Sequence, residues 1–75
     1  MAHKITDHAV IRYLERIFEN RNWTAQDYLH AKQCLISELQ KSIFMCQHNR
    51  KIKRRFNDAV FVVKNGQVLT VEKFN

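Results

Sequence analysis

The chain has no proline and a single glycine, Gly66, among its 75 residues. With those punctuators so scarce and no Ser/Gly stretch or compositional break, nothing marks a linker or an internal repeat, and one domain over residues 1–75 is expected. Long apolar runs are missing too. The longest, such as Ala59 to Val63, are four or five residues, against the roughly 20 that a membrane-crossing helix needs. Met1 to Ile5 contain no apolar leader segment, so a cytoplasmic location is expected.

Only two cysteines are present, Cys34 and Cys46, and an intracellular chain keeps such thiols reduced. Read as lying twelve apart on one helix, they are separated by about 18 Å of rise, beyond a disulfide's reach. The four histidines, His3, His8, His30 and His48, show neither an i, i+4 pair nor a neighbouring C-x-x-C, so no metal site is expected. Phosphate-loop and nucleophile-elbow patterns are absent, Gly66 being used by a turn. No cofactor is expected.

Acidic residues are few as well: 7 Asp and Glu against 13 Lys and Arg leave a net charge of +6. So large an excess on so small a surface points to an anionic partner, nucleic acid or an acidic protein. A core this small leaves only a few kcal/mol of stability, so a homodimer is a further expectation.

Apolar periodicity supplies the elements. Thr6 can cap a first helix from Asp7 to Glu19, with Ala9, Val10, Ile11, Tyr13, Leu14, Ile17 and Phe18 on one arc. Thr24, with Asp27 three residues on, has the form of a capping box, and Trp23 and Tyr28 have the spacing of a hydrophobic staple. The second helix is predicted to reach about Cys46, burying Tyr28, Ala31, Leu35, Ile36, Leu39 and Ile43. At that length it is unsuited to be the short recognition helix of a helix-turn-helix.

A strand is predicted from Ile52 to Phe56, and a hairpin from Ala59 to Phe74 around Asn65-Gly66, a pair suited to the two positive φ angles of a type I′ turn. Uninterrupted pairing sets Val62 opposite Leu69 and Phe61 opposite Thr70. It predicts an aliphatic face of Val60, Val62, Leu69 and Val71 against the helices. With a short opening strand at His3 to Ile5, the expected class is α+β: two helices on one face of a small antiparallel sheet.

Two groups of residues carry candidate chemistry. His8, Arg12 and Arg16 fall on one helical stripe, where an imidazole can move a proton of an RNA 2′-hydroxyl and guanidinium groups can hold the phosphate. The alternative is a solvated face, since Glu15 and Glu19 interleave with the arginines. The second group is the run Arg50, Lys51, Lys53, Arg54 and Arg55, five basic residues in six, ending at Phe56. It suits backbone phosphates with a base stacked on the ring, or else protects an edge strand. Thr70 is the polar centre of the hairpin.

The opening Ile5-Thr6-Asp7-His8-Ala9-Val10-Ile11-Arg12-Tyr13-Leu14-Glu15-Arg16 resembles the I-x-x-H-A-x-x-R-(Y/L)-x-x-R start of small phage and toxin-associated proteins. The ending Val62 to Val71 is similar to their closing hairpin. Together the matches cover about a third of the chain. The resemblance is to the RelE-like, barnase-related and colicin-related ribonucleases, with helices on one side of a curved sheet. It implies a metal-independent ribonuclease or an RNA-binding relative acting on RNA or the ribosome, with His8, Arg12 and Thr70 at the active site. A non-catalytic phage-type inhibitor of a host protein is the alternative it leaves.

Overall fold

The structure is a computed structural model that describes residues 3–74; Met1, Ala2 and Asn75 of the expected 1–75 domain lie outside the described residues. The elements run β1 (Lys4–Ile5), α1 (Asp7–Arg16), α2 (Ala25–Lys41), β2 (Ile43–His48), β3 (Lys51–Phe56), β4 (Ala59–Lys64) and β5 (Gln67–Lys73). The five strands form one sheet in the order β1-β5-β4-β3-β2. All neighbours are antiparallel except β1 and β5. The class is α+β, with both helices packed on the same face.

Local chemistry sets where the helices start. The Thr6 side chain accepts a hydrogen bond from the Ala9 N–H at 3.1 Å, satisfying one of the donors a helix start leaves free. Thr24 and Asp27 form the full reciprocal box, and Trp23 lies 6.0 Å from Tyr28, centroid to centroid. From α1 the residues Ala9, Val10, Tyr13 and Leu14 are buried, and from α2 Ala31, Leu35 and Leu39. They meet Ala59, Phe61, Val63, Val68 and Val71 in one core.

Helix ends differ from the sequence expectation. α1 stops at Arg16, and Glu19 takes a positive φ of 55°, which turns the chain before the predicted end. α2 stops at Lys41, because Ser42 is extended and Ile43 to His48 form a strand. Cys46 therefore lies on β2, not on the helix that carries Cys34. The cause is a second hairpin: His48 pairs with Lys51 across Asn49 and Arg50, whose φ angles are 52° and 66°. Here arginine occupies a conformation that usually selects glycine.

In the last hairpin Lys64 pairs with Gln67 across Asn65 (φ 53°) and Gly66 (φ 74°). After Val63 and Val68 the register shifts, leaving Leu69 as an extra residue, and Val62 pairs with Thr70 and Phe61 with Val71. This bulge inverts the predicted faces of β4 and of Val68, whereas Val71 keeps its expected place against the helices. The helix side carries Ala59, Phe61, Val63, Val68 and Val71, whereas Val60 and Val62 lie on the other side. Putting Phe61 inward, 6.4 Å from the Tyr13 ring, removes more apolar area from water than a valine would. The Thr6 hydroxyl donates to the carbonyls of Val68 at 2.8 Å and Leu69 at 3.3 Å, tying the bulge to the cap of α1.

Candidate nucleic-acid interface

Alternation along a strand and pairing across strands assign every side chain to a face. Because Phe61 and Val63 point to the helices, Val60, Val62 and Lys64 point away. The register then places Arg55 and Glu72 beside Val60, Lys53 and Thr70 beside Val62, and Gln67 beside Lys64. Lys4 follows from its pairing with Gln67, and Lys51 from its alternation with Lys53. No helix covers this face. It carries Lys4, Lys51, Lys53, Arg55 and Lys64, with Glu72 the one acid among its described residues.

Val60 and Val62 are only 4% and 5% exposed, although they do not join the core under the helices. The aliphatic stems of neighbouring long side chains cover them and leave the charged ends in solvent. Lys53 reaches Glu72 at 3.3 Å with both side chains close to half exposed, so that pair is weak. The Arg55 guanidinium lies 3.6 Å from the centroid of the Phe74 ring and donates to the Asn57 carbonyl at 2.8 Å. Lys51, Lys53 and Arg55 thus form a row of cations at every second residue, roughly 7 Å apart, with His48 beside Lys51 at one end and Phe74 under Arg55 at the other.

The basic run is consequently split. Arg54 points to the helix side, where its Nε donates to Ser42 Oγ at 3.0 Å and its Nη2 to the Ser42 carbonyl at 2.7 Å. Ser42 is the C-cap of α2, so this arginine closes a helix end where orphan carbonyls and the dipole favour a cation. Phe56 shares that side and packs against the core, away from the open face. Arg50 sits exposed in the β2–β3 turn.

The helical candidates lie at the rim. Arg16 Nη1 donates to the Val71 carbonyl at 2.9 Å, and with the Thr6 contacts this aligns α1 along the edge of β5. Arg12 and His8, one and two turns earlier on the same stripe, follow that edge. Arg12 is paired with Glu15 at 2.8 Å, and His8 is exposed. Thr70 is half-buried on the open face beside Val62. Among the described residues no hydrogen bond joins His8, Arg12 and Thr70.

Lys4, Lys64, His48 and Phe74 were not singled out by the sequence, and their place on or beside the open face follows from strand register. Tyr13 belongs to the helix side. Its hydroxyl is buried without a hydrogen-bond partner, and burial first, then the Glu38 carboxylate, raises its pKa so that it stays protonated. Among the described residues no three His, Cys, Asp or Glu side chains gather as a metal site, and no helix is long and apolar enough to cross a membrane. No family model, curated protein or solved structure matches the chain.

Proposed function

We propose that the chain is an RNA-directed protein that binds single-stranded RNA across the open face of its sheet. The observation that carries this reading is the row Lys51, Lys53 and Arg55 on a face without a helix, flanked by Lys4 and Lys64 and ended by His48 and Phe74. Evenly spaced cations neutralise a phosphate backbone without reading its sequence, and flat rings beside them accept unpaired bases. A shallow sheet face offers room for a splayed strand that a helix in a groove does not require.

Catalysis is a second reading with its own support, the stripe of His8 and Arg12 along the edge of the strand that carries Thr70. A metal-independent ribonuclease needs His8 to exchange a proton with the 2′-hydroxyl while guanidinium groups hold the phosphate. In this arrangement Arg12 has to leave Glu15 to act.

One experiment addresses both. Labelled single-stranded RNA, free or as part of ribosomes, is titrated with protein in EDTA, followed by anisotropy and on a denaturing gel. Binding lost in a Lys51→Gln/Lys53→Gln/Arg55→Gln variant supports the interface. Cleavage lost in a His8→Ala/Arg12→Ala variant, with binding kept, supports the enzyme. RNA neither bound nor cut by the wild type rejects both and favours the reading as a module that engages a host protein.

A further inference from the structure

The two edges of the sheet are finished differently. On one side β1 is only two residues long, and beyond it the Thr6 hydroxyl and Arg16 occupy the carbonyls of Val68, Leu69 and Val71. On the other side β2 is six residues long and exposed throughout. Ile43, Phe44 and Met45 are 68%, 55% and 37% exposed. Neither helix makes a substantial packing contact with β2, whereas α2 does reach β3. The register of β2 against β3 shifts once, between Phe44 and Cys46, and the unpaired backbone groups along the strand's outer side are a template for another strand.

We propose that β2 pairs antiparallel with β2 of a second copy, joining two sheets across a two-fold axis. Charge selects this occupant. The chain carries +6, yet Ile43 to His48 contain no lysine, arginine, aspartate or glutamate. Two strongly basic copies can therefore meet edge to edge without placing like charges opposite each other. An acidic partner would find no cation on this strand, and a phosphate backbone would find none either. An antiparallel strand pair is also self-complementary, as an isologous interface requires.

The contact is small. Six exposed strand residues with three large apolar side chains place it among the weak, transient interfaces, below about 1,200 Å² in total. Such an interface is expected to associate with a dissociation constant on the order of 1–100 μM. The dimer sets two rows of Lys51, Lys53 and Arg55 on one continuous face, but its formation does not depend on RNA.

Sedimentation equilibrium on nucleic-acid-free protein, over about 1–300 μM to bracket the expected constant, is the test, paired with hydrogen exchange at the two ends of that range. The expected result is twice the chain mass at high concentration, with the outward-facing amides of β2, those not bonded to β3, slowed there and those of Lys4 and Ile5 unchanged. Met45→Lys/Cys46→Lys, at exposed positions beside the two-fold axis where each lysine faces one of the other copy, is expected to keep the fold by circular dichroism and to weaken association roughly 100-fold or more through like-charge juxtaposition. A monomer across the range overturns the proposal. So does a dimer whose outward-facing β2 amides stay unprotected, or one that survives the double lysine variant.

Discussion

The two sides of β3 put chemically similar residues to opposite uses. On the helix side Arg54 is spent on the C-cap of α2 through two hydrogen bonds to Ser42. On the open side Lys51, Lys53 and Arg55 stand in a row over a floor of Val60 and Val62. A basic run on a strand is therefore two sets of residues, because alternation sends neighbours to opposite faces. Architecture takes one set, and the surface keeps the other.

The sharpest separation of the faces comes from the core. Phe61→Ala removes the largest fully buried side chain of the sheet and is expected to cost about 4 kcal/mol, enough to leave much of this small domain unfolded in a urea titration. An Arg54→Ala variant should lose about 2 kcal/mol, since charge-assisted bonds to a buried partner disappear, while the folded fraction keeps its RNA affinity. Lys51→Gln/Lys53→Gln/Arg55→Gln, which removes the charges and keeps most of the stems over Val60 and Val62, reverses that pattern. Its urea midpoint should stay near wild type, while the slope of log affinity against log salt falls by about 2 to 3 for the phosphate contacts removed. Equal loss of binding in Arg54→Ala and in the triple variant would break the comparison.

Smaller effects refine it. Thr24→Ala should cost about 1 kcal/mol through the lost cap, again without changing RNA affinity. The Thr24 backbone N–H, donating to Asp27, holds that carboxyl below the ordinary aspartate range. The contribution of the box is thus complete above the unfolded aspartate pKa and is lost as pH falls through Asp27's lowered value. An acid titration of helical circular dichroism should show that loss in wild type and not in Asp27→Asn. Arg50→Gly, relieving a positive φ of 66° at the expense of a looser unfolded chain, should stabilise by at most about 1 kcal/mol, read from the same urea curves.

How much of this was legible in the sequence depends on which interaction decides each feature. The caps at Thr6 and Thr24 and the inward arc of α1 are local, and residues a few positions apart are enough to read them. The β2–β3 hairpin is hidden because its turn uses Asn49-Arg50 where a glycine would announce it. The faces of β4 were inverted by one extra residue, Leu69, whose carbonyl is held by Thr6 from 63 residues away; no local pattern records that contact. For the same reason Arg54 and Phe56 looked like part of the candidate surface, and Lys4, Lys64 and Phe74 did not.

Valines on the two faces of one sheet make the most direct probe of the central claim. Methyl-labelled protein titrated with single-stranded RNA should show the Val60 and Val62 methyl resonances moving with saturation, while those of Val63, Val68 and Val71 hold still. Shifts confined to Val63, Val68 and Val71, or no shift at Val60 and Val62 when RNA is bound, would contradict an interface on the open face.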